Sequence, residues 1–411
     1  MMEGWKTDKL KNYISVESGY AFKTEDFSTT GIPVVKIGNI VDNTTKPTNG
    51  DSYIRKEDLS LYENYIIREG DVLIAMSGNT TCKMGRVSKA FSPSLVNQRV
   101  GWIKPLNSEI NIDFVYYLLQ SESYQNKLWN YATATGQPNL SPRDICKINF
   151  YKPSLPEQSA IAAVLSKVDE AIAAVQGSIA AAERLKKSLM QNLLTGRMKP
   201  DGTLRKEDEF YVDEKFGRVP KGWEVKRIDE IAERKTEVID PTKTKEVYDY
   251  IGLEHIVPDE FVRCGKGLSN ETVALKVRFE KGDLLYGKLR PYLNKVFISD
   301  ISGVGSTEFI VLKQNEFTYW IYLNFQLKRF LDYTKSMTAG TQHPRASWKD
   351  IKHYLVGIPK DEQEREQITK KLLSLEQQKM TNNDKIAVLE RLKKSLMQNL
   401  LTGRVRVKIS K

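Results

Sequence analysis

The chain is poor in histidine and cysteine, with three of each in 411 residues, and that scarcity removes whole classes of chemistry. Cys82, Cys146 and Cys264 are odd in number, far apart and in no CxxC spacing, which argues against a disulfide framework or a zinc site. Such usage fits a reducing compartment, and a cytoplasmic location is expected. No apolar run of about eighteen residues occurs and the N-terminus carries no apolar leader, so nothing directs the chain to a membrane. The HExxH, GxSxG and GxxxxGK(S/T) patterns are missing, as are NPPF- or DPPY-like strand-end motifs for adenine methylation. The glycine-rich stretch at 78–85, GNTTCKMG, lacks the order that lets backbone amides cradle phosphate. A nuclease-like carboxylate set can be assembled from Asp213 and Glu224-Val225-Lys226, but chance supplies such patterns readily among 52 acidic residues. The sequence thus offers no catalytic centre and implies no metal or cofactor of its own.

What it does have is ordinary globular composition, 40% hydrophobic and 28% charged, a net charge of +11, and one long internal repeat. Residues 183–197 and 390–404 both read ERLKKSLMQNLLTGR, while the surrounding residues differ almost everywhere. Identity confined to one segment implies one task done twice in two different settings. Whatever partner binds one copy should bind the other. The candidate partner-binding residues are Glu183, Arg184, Lys187, Gln191 and Arg197, matched by Glu390, Arg391, Lys394, Gln398 and Arg404. Each copy carries +3, so the pair holds more than half of the net charge. Basicity alone therefore leaves DNA binding and a solvated helix face both open.

Helical punctuation surrounds each copy. Ser154 with Glu157, and Asp361 with Glu364, have capping-box spacing, Pro156 suits a first helical turn, and Gly196 and Gly403 suit a left-handed C-terminal cap. Two helices of about 40 residues, roughly 60 Å each, are expected. The first has a heptad seam at Ile161, Leu165, Val168, Ile172, Val175, Ile179 and Ala182, continued by Leu185, Leu189 and Leu193. The seam of the second, from Ile368 to Leu400, is interrupted by Lys379 and Asn382, which weaken packing but can fix register. Packing of each helix on its own domain is the competing reading. Ahead of each helix lie matching signals: Gly4-Trp5 and Gly222-Trp223, Gly70-Asp71 and Gly282-Asp283 entering strands, aromatic-rich helices at 114–131 and 319–333, and Asp144-Ile145 and Asp350-Ile351. The expected fold is α/β (α+β), with two globular units alternating with two long helices that pair as an antiparallel coiled coil about a pseudo-two-fold axis. The divisions are 1–153, helix 154–197, linker 198–221, 222–360, helix 361–404 and a basic tail 405–411.

Several loops gather side chains suited to bases and phosphates. In the first unit these are Asn97, Gln98 and Arg99, and then Gln137, Asn139, Ser141 and Arg143. In the second they are Lys288, Arg290, Tyr292, Asn294 and Lys295 within YGKLRPYLNK, with Ser306 and Thr307, and Gln342, His343 and Arg345. Amides can bond adenine bidentately and arginine can bond guanine, each pair worth about 1–3 kcal/mol of discrimination, while lysine and arginine neutralise phosphates.

Taken in order, GDVLIAMSG at 70–78, Asn139-Leu140-Ser141 with Asp144-Ile145, Pro156-Glu157-Gln158 with Ile161, Tyr250-Ile251-Gly252-Leu253-Glu254-His255-Ile256, YGKLRPYLNK, Ser306-Thr307-Glu308-Phe309 and the twin LLTGR ends resemble the specificity subunit of type I restriction–modification enzymes. The resemblance covers essentially the whole chain. It implies two target-recognition domains, each reading one half of a bipartite DNA sequence, with helices serving as a ruler. It also implies two modification subunits that methylate adenine with S-adenosylmethionine, and restriction subunits, where present, that use ATP and Mg. A coiled-coil assembly protein that does not touch DNA and a stand-alone nuclease are the alternatives from other classes.

Overall fold

The computed structural model describes residues 5–134, 136–337 and 344–408. Gly4 of the opening motif and the interface candidates Gln342 and His343 lie outside the described residues. Packing divides the chain into two units, residues 1–176 with 383–411, and residues 177–382. The division passes through both long helices, so each unit owns the N-terminal half of one and the C-terminal half of the other.

In the first unit a six-stranded sheet runs in the order Ile14–Ser18, Val100–Pro105, Val72–Ala75, Met84–Arg86, Thr44–Thr45 and Ile40–Val41. A four-stranded sheet has Ser52–Ile54, Ile32–Val35, Ser94–Val96 and Ile66–Ile67. Alternation along the central strand sorts its side chains between two cores. Val72 and Ile74 pack with Phe114, Leu118 and Leu165, whereas Leu73 and Ala75 pack with Val35, Phe91 and Val96. The second unit repeats this plan: Leu284 and Tyr286 join the helix-facing core, and Leu285 joins Ile251, Phe279 and Phe297. The Gly-Asp turns are alike as well. Gly70 and Gly282 have φ of 89° and 95°, and the following carboxylates accept from the amides of Arg68 and Glu280. Glycine meets the left-handed geometry without the steric cost other residues incur.

The long helices are Leu155–Leu193 and Glu362–Leu400, 39 residues each. Within the first unit Ile161 and Leu165 share a core with Leu400 and Leu401, and within the second Leu193 and Leu194 share one with Ile368 and Leu372. In both, the start of one helix lies against the end of the other, so the pairing is antiparallel. Gly196 and Gly403, at φ 69° and 68°, close the helices as their sequence position requires.

Three expectations are corrected. The heptad seam is interrupted within the repeat and then resumes: Leu185 is 50% and Leu392 47% exposed, with Lys186 and Lys393 half-buried beside them, whereas Leu189 and Leu396 pack against the cores and Leu193 and Leu400 are buried. Neither glutamate closes its capping box, because both are engaged elsewhere, although Asp361 Oδ1 still accepts from the Gln363 amide at 2.9 Å. Glu157, only 2% exposed, accepts from the Trp5 indole at 3.1 Å and from Arg406 at 2.8 Å. Glu364 likewise accepts from the Trp223 indole at 3.1 Å and pairs with Arg205. Finally, residues 198–221, expected as a linker, contain a hairpin of Phe210–Asp213 with Gly217–Pro220, and its Phe216 packs on the second unit's core.

Candidate nucleic-acid interface and docking surface

In the first unit three loops meet around the end of strand Val72–Ala75. The Met76 amide donates to the Arg99 carbonyl at 2.9 Å, and the Leu140 amide donates to the Met76 carbonyl at 2.7 Å. Ser77 and Asn139 form a β-bridge. The candidates at 97–99 and 137–143 are therefore neighbours, joined through the 76–83 loop. The Arg99 amide donates to Asn97 Oδ1 at 3.3 Å, which shapes that turn, while Gln98, Arg99, Gln137, Asn139 and Arg143 are exposed.

The second unit builds the same frame from different residues. The Lys288 amide donates to the Glu308 carbonyl at 2.8 Å, the Ala346 amide donates to the Lys288 carbonyl at 2.9 Å, and Leu289 bridges Arg345. Here the Glu308 amide donates to Ser306 Oγ at 3.2 Å, in the manner of Arg99 and Asn97. Met76 thus corresponds to Lys288, Arg99 to Glu308, and Asn139 to Arg345. The connecting loops also match in backbone. Gly78 and Cys82 (φ 75° and 71°) stand where Arg290 and Asn294 (φ 52° and 41°) stand in the second unit. Left-handed conformations at cysteine, arginine and asparagine are uncommon and mark a frame that surrounding contacts impose.

Charge differs between the two frames. Arg345 forms an ion pair with Glu308. Burial, and then the neighbouring cations Arg345 and Arg234, hold the Lys288 ammonium below the usual lysine range. With Arg290 exposed beside them, these cations form a cluster that an anion would relieve. Of six buried side-chain polar atoms lacking a hydrogen bond among the described residues, four lie in these loops: Ser77 Oγ, Thr80 Oγ1, Asn294 Oδ1 and Glu308 Oε2. Unpaired buried polar groups are otherwise rare, which sets these loops apart from the cores.

Not every candidate side chain faces outward. Ser141 is a helix cap whose Oγ lies 2.6 Å from Asp144, and Ser347 caps the equivalent helix through Asp350. Asn294 is 3% exposed, and Lys295 donates to the Leu253 carbonyl at 2.6 Å. Tyr292 is 45% exposed and Thr307 is exposed. The loop at 76–83 was missed from sequence, although one signal was available: Gly78 follows the Gly70-Asp71 turn at the same interval that separates Arg290 from Gly282-Asp283. The nuclease set has other employment. Asp213 Oδ1 accepts from the Lys215 and Phe216 amides in its hairpin turn, and Glu224 pairs with Lys226 at 2.8 Å. Among the described residues no cluster of His, Cys, Asp or Glu is placed to hold a metal ion, and no helix is long and apolar enough to cross a membrane.

The repeat copies present one face inward and one outward. Inward, Lys393 pairs with Asp169 at 2.6 Å, and the Tyr117 phenol donates to the same carboxylate at 2.8 Å. In the second unit Lys186 pairs with Glu376, to which the Tyr322 phenol donates at 3.1 Å. Each node joins both long helices to a helix of the globular part. Outward lie Arg184, Lys187, Gln191 and Arg197 in one copy and Arg391, Lys394, Gln398 and Arg404 in the other, all exposed. Glu183 and Glu390 are exposed too, with Glu183 paired to Lys379 at 2.7 Å.

A protein-family profile described as type I restriction modification DNA specificity domain matches the chain over residues 2–184 and 220–391. The MjaVIII specificity subunit of a type I restriction enzyme from Methanocaldococcus jannaschii is 28% identical over 200 residues, covering 48% of this chain and 47% of that protein. The EcoAI specificity subunit from Escherichia coli is 31% identical over 173 residues, covering 41% of this chain and 28% of that protein. The chain thus spans about half and under a third of these relatives' lengths. A solved S subunit of a type I restriction–modification system from M. genitalium shares the fold, with a TM-score of 0.62 at 16% identity over 99% of this chain and 97% of that one.

Proposed function

Because the chain belongs to the type I restriction–modification DNA specificity family, we propose that it recognises a bipartite DNA sequence, each unit reading one half, and carries out no catalysis itself. One observation carries this reading above all: the two units hold the same backbone frame around Met76 and Lys288 but fill it with different side chains. A shared frame with unlike contents suits two readers of unlike half-sites. In the first unit Gln98, Arg99, Gln137 and Asn139 would address base edges and Arg143 the phosphates. In the second, Lys288, Arg290 and Arg345 would engage phosphates or guanine.

The outward faces of the two repeat copies would dock two copies of an adenine methyltransferase, which supplies S-adenosylmethionine chemistry. Restriction subunits, with ATP and Mg, would join that assembly where they exist. The paired helices would set the spacing between half-sites, and each lysine–carboxylate–tyrosine node would hold a reader in fixed relation to its own stretch of helix.

Mobility-shift titration of duplex DNA with the chain, alone and with the co-expressed methyltransferase, tests the proposal. Specific binding whose logarithm falls linearly with the logarithm of salt concentration is expected. Assembly with the methyltransferase but no retention of any duplex would instead favour a scaffold that does not touch DNA.

A further inference from the structure

The two copies of ERLKKSLMQNLLTGR are identical in sequence but differ in what surrounds them. In the copy at 183–197 Glu183 pairs with Lys379 at 2.7 Å, a lysine it shares with Glu260, whereas Lys187 has no ion-pair partner among the described residues. In the copy at 390–404 the roles are reversed. Lys394 lies 3.3 Å from Glu122, and Glu390 has no such partner among the described residues. The cause lies in the globular parts. Glu122 follows the helix Ile112–Gln120 by two residues, and the position that follows Thr318–Phe325 by two is the apolar Leu327.

The first copy therefore presents Arg184, Lys187 and Arg197 beside an acid only partly compensated, through the lysine it shares with Glu260. The second presents Arg391 and Arg404 with one cation masked and one acid exposed. The first copy also adjoins a hollow. Gln191, Leu194 and Thr195 of the first copy line a cavity of about 240 Å³ with an apolar floor of Phe216, Leu327 and Tyr354. Arg329 at its edge stacks on Phe216 at 3.8 Å.

We propose that the two copies are unequal docking places, and that an acidic surface of the methyltransferase, carrying one apolar anchor, occupies the copy at 183–197 first. This rests on the reading above that the methyltransferase docks on the repeats. One effective charge at exposed positions, at the modest value of a surface pair, makes the first step roughly 1.4-fold to fivefold tighter than the second. It is also the more sensitive to salt.

The test is titration of the full chain with the purified methyltransferase, followed by native mass spectrometry and calorimetry at two salt concentrations. The expected result is two steps. Leu185→Asp removes the tighter and more salt-sensitive step, Leu392→Asp removes the weaker one, and the mild surface change Glu122→Gln, by unmasking Lys394, brings the two affinities closer together. Two steps of equal affinity, loss of the tighter step on Leu392→Asp, or affinities unmoved by Glu122→Gln would overturn the inequality while leaving docking on the repeats intact. A folded chain that binds no methyltransferase at all would overturn the docking as well.

Discussion

Lys393 reaches Asp169 at 2.6 Å, and Lys186, 207 residues before that lysine, reaches Glu376, 207 residues after that aspartate, so the repeat supplies the same cation to the same place in each unit. The side chains of the first pair are 12% and 33% exposed and those of the second 17% and 20%, intermediate between core and surface. Breaking a fully buried pair costs about 3–5 kcal/mol and an exposed one about 0–1, so Lys393→Met should destabilise by about 1–3 kcal/mol. The loss should be local. Hydrogen exchange should speed up around Ile161 and Leu400 in Lys393→Met and around Leu193 and Ile368 in Lys186→Met. Equal loosening of both units by either change contradicts the assignment.

Glycine supplies an opposed pair. A Cβ at Gly196 would lie 2.2 Å from Pro220 Cγ at a backbone φ of 69°, whereas one at Gly177, inside the first long helix, would meet nothing within 4 Å. Gly196→Ala should destabilise by about 2–3 kcal/mol, combining left-handed strain with overpacking. Gly177→Ala should stabilise by about 0.5–1 kcal/mol through helix propensity and a less flexible unfolded chain. Thermal or urea melts of the two variants decide it, and a shift of the same sign in both contradicts the account.

The depressed Lys288 ammonium should give the proposed DNA binding a pH dependence. A phosphate oxygen beside it restores the charged form and raises its pKa. Below the lowered value both free and bound lysine are protonated, and binding moves no proton. Between the lowered and restored values binding takes up a proton, so affinity falls as pH rises through that window. Calorimetry at alkaline pH in buffers of different ionisation enthalpy should show proton uptake in the parent chain and less in Lys288→Met. Uptake of the same size in both would place the proton elsewhere.

The outward side chains around the two frames should act independently. Arg99→Ala and Asn139→Ala should each relax one position of one half-site by about 1–3 kcal/mol, and Arg345→Ala should affect the other half alone. Binding to a panel of single-base variants reads this directly. Weakening that is uniform across the panel would reassign the residue to phosphate contact.

The long helices, their antiparallel pairing, their glycine caps and the order of elements were legible because periodicity and punctuation are local signals. Where the outcome depended on partners distant in the chain, the same signals misled. Ser154 and Glu157 have the spacing of a capping box, but Trp5 and Arg406 claim the glutamate from 152 and 249 residues away. Leu185 continues the heptad on paper and faces outward in space. At the candidate interface, composition identified the arginines and amides but could not separate Arg143, which is exposed, from Ser141, which caps a helix. The correspondence of GNTTCK with RPYLNK was invisible to residue identity because what the two loops share is a pair of left-handed backbone positions.

The most direct test of two unlike readers on one frame is single-molecule mapping of methylated adenines in DNA from cells expressing the chain with its methyltransferase, before and after residues 288–295 are replaced by 76–83. The account predicts a bipartite target in the parent and a change confined to one half in the exchange. A single uninterrupted target, or alteration of both halves, would contradict it.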